Sequence, residues 1–166
     1  MTGLNCFDLI SRAVNIYAAR DDYCYLYGAK GQVLTDKVFW DLVNCEPEYF
    51  SKYSMEEMQD IYWYSIGKIG IDCSGYIKLI TGVELPSFEW IARALNKTTP
   101  VKGTWGNMLF TTFNGTGRHI GIDIGEGRFL HCPKEMHTIE LGMIKNYQWE
   151  QSGQFPDVSY LLTGDK

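Results

Sequence analysis

The chain has 166 residues, 45% hydrophobic and 21% charged, which is enough for one globular domain to bury a core without disulfide or metal staples. A net charge of −5 with no Lys/Arg cluster argues against nucleic acid as a partner, and no apolar run approaches the roughly 20 residues that a membrane helix needs. The five cysteines, at 6, 24, 45, 73 and 132, are odd in number, irregular in spacing and free of C-x-x-C, so they do not form a disulfide framework.

Apolar residues recur at three- and four-residue spacing from Cys6 to Tyr17, which predicts an amphipathic helix with Thr2 or Asn5 as its cap. Residues 23–31 read as an extended, turn-bounded stretch. If it is a strand, Tyr23, Tyr25 and Tyr27 share one face. Residues 32–68 are aromatic, acidic and mostly helical: Thr35 is placed to cap a helix reaching Asn44, Pro47 interrupts, and Ser54-Met-Glu-Glu57 is a capping box opening a helix toward Tyr64. Gly67 and Gly70 break the chain before Asp72-Cys73-Ser74-Gly75, and a short buried helix then runs from Cys73 to a stop at Gly82.

Residues 83–104 read as loop with one helical turn around Phe88–Leu95. From Gly106 the period changes to two, and Met108–Phe113, Arg118–Ile124, Arg128–Cys132, Thr138–Leu141 and Val158–Leu162 are strand candidates. Helices first and antiparallel strands afterwards make an α+β order in a single domain, 1–166. No internal repeat or linker divides it. The N-terminus carries no basic-then-apolar secretory signal, which fits either a chain not exported by that route or a trimmed mature domain, so the localisation stays open.

Three residues carry chemistry. An isolated buried cysteine is most often a small hydrophobe, but Cys73 has company: His119 lies 46 positions on and His131 a further 12. A helix N-terminus favours the thiolate and offers backbone N–H groups to an oxyanion, while Gly75 permits close approach of backbone or substrate. On the strand containing His119, Ile120, Ile122 and Ile124 face one way and His119, Gly121 and Asp123 the other, so Gly121 leaves open space beside the His119 ring.

Whether the two histidines meet depends on the turn between them. With a two-residue loop, Glu126-Gly127, cross-strand pairs sum to 253 and the histidines fall on opposite faces. With Gly125-Glu126-Gly127 the pairs sum to 252, so His131 opposes Gly121 and sits diagonal to His119, at roughly 7–8 Å between backbones. A three-residue loop, a type I turn with a G1 bulge, is therefore the expectation if the pair is catalytic, barring a further bulge in the hairpin. His119 would then act as base and acid toward Cys73, and His131 would hold the remote ring nitrogen. A zinc set drawn from Cys73, His119, His131 and either Cys132 or His137 lacks close ligand spacing, so no metal or other cofactor is expected; His137 reads as a surface residue after Pro133.

Asp72-Cys73-Ser74-Gly75, His119-Ile-Gly-Ile-Asp-Ile-Gly125 and Leu130-His131-Cys132 resemble the catalytic segments of the NlpC/P60 family of papain-like cysteine peptidases. Tyr25-Leu-Tyr-Gly-Ala29 is similar to its upstream tyrosine motif, and Gly106-Asn-Met-Leu-Phe110 to a family strand in which Asn107 replaces an aspartate. The resemblance implies a papain-like fold with the nucleophile at the N-terminus of a helix packed on a central antiparallel sheet. It implies hydrolysis of stem peptides of bacterial cell-wall peptidoglycan, with a γ-D-glutamyl–diamino acid bond as the target. By the same resemblance Cys73, His119 and His131 are catalytic, and Tyr25, Asp72 and Ser74 serve the oxyanion or the substrate. Amidase or acyl transfer on another amide or thioester, or a non-catalytic wall-binding or tail module, are the alternatives. The family joins its tyrosine motif to the cysteine by a much shorter connection, so residues 32–68 read as an insertion, either a helical buttress or a substrate-gating wall. A monomer is the default expectation.

Overall fold

The structure, a computed structural model, describes residues 4–100, 104–113 and 116–158. Helix α1 (Cys6–Ala18) starts at Asn5, whose side chain accepts the Asp8 amide while the Asp8 carboxylate accepts the Asn5 amide. Strand β1 (Tyr23–Tyr25) is shorter than the spacing suggested. Tyr27 falls in the following turn, where Gly28 has φ +82°, and the chain returns as β2 (Lys30–Val33).

Helices α2 (Asp36–Cys45), α3 (Pro47–Phe50) and α4 (Met55–Ser65) follow, with Thr35 capping α2 and the Ser54–Glu57 capping box opening α4 as expected. Strand β3 (Ile69–Ile71), read from sequence only as a glycine-broken approach, lies between β1 and β2, parallel to the first and antiparallel to the second. Three residues are too few for periodicity to register.

After α5 (Cys73–Thr81) comes α6 (Ser87–Arg93), and then β4 (Leu95–Thr98), β5 (Met108–Phe113), β6 (Thr116–Gly125), β7 (Arg128–His131), β8 (Glu140–Met143) and β9 (Gln151–Gln154). These strands make an antiparallel sheet in the order β4-β9-β5-β6-β7-β8. Strand β8 begins two residues later than expected. Val158 lies outside any strand, and residues 159–162 of that candidate lie outside the described residues. Among the described residues no helix is long and apolar enough to cross a membrane.

One sheet face, with Met108, Phe110, Ile120, Ile122 and Leu130, packs against Leu9 and Ala13 of α1 and Tyr76, Ile77 and Ile80 of α5 to form the main core. The Tyr76 hydroxyl donates to the Ala13 carbonyl (3.0 Å) and Arg12 to the Ile80 carbonyl (3.1 Å), which ties the two helices together. A second core gathers Cys24, Leu26 and Leu34 with Phe39, Phe50 and Ile61 from α2–α4. The helical segment 36–65 is therefore packed onto the small sheet.

Its farther attachment is polar. Glu135, on the β7–β8 connection and 5% exposed, accepts hydrogen bonds from the hydroxyls of Tyr49 (3.0 Å) and Tyr53 (2.7 Å). Burial and this carboxylate push both phenol pKa values up, so both remain donors. Glu135→Ala, which strands two phenols, should lower stability by about 1–3 kcal/mol. Chemical denaturation checks this, and an unchanged midpoint would mean that apolar contacts alone seat the segment.

Candidate active site

The site is built around the start of α5. Asp72 is the N-cap: its Oδ1 accepts the Gly75 amide (2.6 Å) and the Ser74 hydroxyl (3.0 Å). Its Oδ2 accepts the Gly28 amide (3.2 Å) and forms an ion pair with Lys30, whose ammonium also donates to the Ser74 hydroxyl (2.8 Å). One carboxylate thus joins the helix start, the Gly28 turn and β2. Gly75 is required by the same packing, because a Cβ there would sit 2.6 Å from the Ala29 carbonyl oxygen. The approach that this glycine permits is that of backbone.

Cys73 is 7% exposed, with Sγ 3.4 Å from the Ser87 hydroxyl. Burial raises its pKa, as does the neighbouring Asp72 carboxylate; the Ser87 hydroxyl, the Ile120 amide and Lys30 oppose this without reversing it. The resting group is a thiol. It lines a cleft of about 870 Å³ together with Tyr25, Tyr49, Phe88, His119 and Tyr147.

The histidines share a face, and they do so by a different route from the expected loop. Ile122 pairs with Leu130 and Asp123 with Phe129, both in the 252 register, whereas Gly125 pairs with Arg128. The turn is the two-residue Glu126-Gly127, with positive φ at both positions (+54° and +74°) as a type I′ turn requires. A bulge between Asp123 and Gly125 restores the register, and the Asp123 carboxylate holds it by accepting the Gly125 amide (2.7 Å). The three-residue loop is therefore corrected to a two-residue turn plus a bulge. Parity is the same, because the extra residue has moved from the loop into the strand.

His119 Nε2 lies 2.7 Å from His131 Nδ1. That leaves the Nδ1 side of His119 for the cleft it shares with Cys73. Burial lowers the pKa of His119 to about 4; burial, and then the charges of His119 and His137, lower that of His131 to about 3. Both rings are neutral at pH 7, so the resting site holds a thiol beside an imidazole.

The open space expected beside Gly121 is filled. A Cβ there would lie 3.0 Å from the Trp149 ring, and Trp149 stacks on His119 with centroids 5.4 Å apart and planes at 10°. Tyr25 is 5% exposed, and burial raises its pKa, leaving a neutral phenol on the cleft wall. Ser74 also lines the cleft, with its hydroxyl engaged by Asp72 and Lys30. His137, read as a surface residue, is only partly exposed and is bonded to Glu140. Among the described residues no three His, Cys, Asp or Glu side chains gather to hold a metal ion.

Sequence reasoning missed Lys30, Ser87, Trp149 and Glu140. None stands at a spacing that links it to Cys73 or the histidines. Only the buried position of Asp72, a carboxylate needing a partner, could have pointed toward a cation such as Lys30.

Several known proteins are similar to this chain in sequence or in fold. The chain is 30% identical over 89 residues to the murein DD-endopeptidase/murein LD-carboxypeptidase MepS of Escherichia coli strain K12, covering 51% of this chain and 47% of that protein. It is 30% identical over 86 residues to a gamma-D-glutamyl-L-lysine dipeptidyl-peptidase of Bacillus subtilis strain 168, covering 48% and 29%. The chain thus matches about half of the length of the first relative and less than a third of the second. In fold it is similar to the NlpC/p60 domain of the peptidoglycan hydrolase SagA (TM-score 0.58, 16% identity, 92% of this chain and all of that one). It is likewise similar to the peptidoglycan hydrolase RipB of Mycobacterium tuberculosis (TM-score 0.54, 14% identity, 90% and 66%). A model of the NlpC/P60 family matches residues 52–154, more than half of the chain and a span holding Cys73, His119 and His131. On that match, the α+β protein described above belongs to the NlpC/P60 family.

Proposed function

We propose that this chain is a cysteine peptidase that hydrolyses stem peptides of bacterial peptidoglycan, with a γ-D-glutamyl–diamino acid bond as its target. The observation that carries the reading is the pairing of His131, at 2.7 Å, with His119, which lines the cleft that also holds Cys73. Family membership and relatives named for murein and γ-D-glutamyl-L-lysine peptides support the substrate class.

In this reading the Cys73 sulfur attacks the scissile carbonyl carbon as its proton passes to His119. The carbonyl oxygen becomes an oxyanion facing the α5 N-terminus and the neutral Tyr25 phenol. Collapse expels the amine, which takes its proton from His119, and leaves a thioester on Cys73. Water then attacks that carbon, giving its proton to His119, and the departing thiolate recovers one to restore the thiol. Asp72 and Ser74 keep the helix start in place against Lys30. The chemistry uses no metal or organic cofactor.

Wild type and Cys73→Ala are to be incubated with purified wall peptides, with new amino termini identified by mass spectrometry. Wild type should release fragments beginning at the diamino acid, and Cys73→Ala should release them at least 10³-fold more slowly. Equal digestion by both proteins would sink the nucleophile. Cleavage at another stem-peptide bond would move the specificity toward that of a DD-endopeptidase, and no product with either protein would favour a different amide or a binding role.

A further inference from the structure

Strand β8 pairs with β7 so that Glu140 stands directly opposite His131. Its Oε2 lies 3.8 Å from His131 Nε2, within ion-pairing range but longer than a direct hydrogen bond. Its Oε1 is bonded to Nδ1 of His137. The His137 backbone is itself anchored, its amide donating to the Lys134 carbonyl (3.2 Å) and its carbonyl accepting the Tyr25 amide (2.8 Å). The Glu140 carboxylate is therefore reached from two sides, by His137 from the connection and by His131 from the strand.

Proton positions follow from the order of the atoms. A base facing sulfur through Nδ1 must leave that nitrogen bare, so neutral His119 carries its proton on Nε2. That proton is donated to His131 Nδ1, which must then be bare, and His131 carries its own proton on Nε2, aimed at Glu140. The other His131 tautomer would set two N–H groups against each other across 2.7 Å and point a lone pair at a carboxylate. Burial makes a charge on either ring costly, so the positive charge that His119 acquires when Cys73 gives up its proton needs an anion nearby.

We propose that Glu140 is a positioning residue of this site, a carboxylate that fixes His131 as its Nε2–H tautomer and, through it, orients His119 and stabilises the imidazolium formed during attack. This rests on His119 acting as the base for Cys73. It supplies the negative charge that a Cys-His-His set lacks by itself, and it does so from a strand neighbour rather than from the histidine pair.

The test is Glu140→Ala and Glu140→Asp in the full chain. The Glu140 side chain is 44% exposed, so neither change removes core packing. Long-range proton–nitrogen correlation spectra of histidine-labelled protein should show His131 as a single Nε2–H tautomer in wild type and as a mixture in Glu140→Ala. On wall peptides kcat should fall roughly 10-fold in Glu140→Ala with KM unchanged, and Glu140→Asp should recover part of it. An unaltered His131 tautomer, or a kcat within about twofold of wild type, overturns the proposal. The spectra need no substrate, so a failure of Glu140 to hold His131 is distinguishable from a failure of Cys73 as nucleophile, which the Cys73→Ala digest reports separately.

Discussion

Asp72→Ala should lower stability by about 3–4 kcal/mol, one of the two largest effects expected in this molecule. The change removes an N-cap, worth about 1 kcal/mol. It also leaves Lys30, whose side chain is only 23% exposed, without its carboxylate, and an ion pair broken from one side costs about 3–5 kcal/mol when fully buried. The partial exposure of Lys30 keeps the total below the sum. Asp72→Asn, which retains a cap oxygen but not the charge, should fall between the two. The same change should alter Cys73. Asp72 raises the thiol pKa and Lys30 lowers it, so deleting the carboxylate while leaving the cation moves the thiol pKa down. Urea unfolding reads the first effect and the pH profile of thiol alkylation the second. A wild-type midpoint in Asp72→Ala would remove Asp72 as organiser of the helix start.

The second large effect is at His119. His119→Gln should reduce kcat by about 10³-fold, within the usual contribution of a general base. In wild type the acid limb of kcat/KM should lie near pH 4, because burial holds the His119 imidazole neutral down to about that pH. An acid limb near 6.5 would show that the ring titrates as if exposed. Stability carries the same signature. An unfolded histidine binds its proton near pH 6.5, whereas folded His119 and His131 resist it down to about 4 and about 3. Between those limits the unfolded chain holds more protons, so stability is complete above about pH 6.5 and falls as the pH drops, by about 1.4 kcal/mol per unit for each ring. His119→Gln should make that acid slope shallower.

The features legible in the sequence are those written in local chemistry. The capping residues Asn5, Thr35 and Ser54 act on amides three residues away, and each marks a helix start in the structure. Gly82, at φ +80°, marks a stop by backbone conformation alone. The long strands β5 and β6 declare themselves by alternation. Strand parity reduced the question of whether His119 and His131 share a face to whether the turn region holds an extra residue, because side chains alternate strictly along each strand.

What was not legible depends on distant partners. Gln151–Gln154 has no alternating apolar pattern, and it is a strand because β4 and β5 supply edges on either side of it. Trp149 reaches His119 only because that strand brings it across the sheet, and Lys30 reaches Asp72 through the turn at Gly28. Glu140 became visible only with the β7–β8 register. The loop length was misplaced for a related reason: the bulge is stabilised by the Asp123 carboxylate, a contact that pattern alone does not reveal.

The placement of β9 between β4 and β5 has a consequence for how the domain forms. Until residues 151–154 arrive, β4 has no partner in the sheet and β5 is paired on one side only, so two strand edges stand open in the partly made protein. The pairing closes a chain separation of more than forty residues, so it carries a larger loop-closure entropy than the β5–β6 and β6–β7 hairpins. Trp149 arrives on the same segment as the closing strand. His119 therefore gains its stacking partner from the segment that seals the sheet, and a chain lacking that pairing leaves two strand edges open and the His119 ring unstacked.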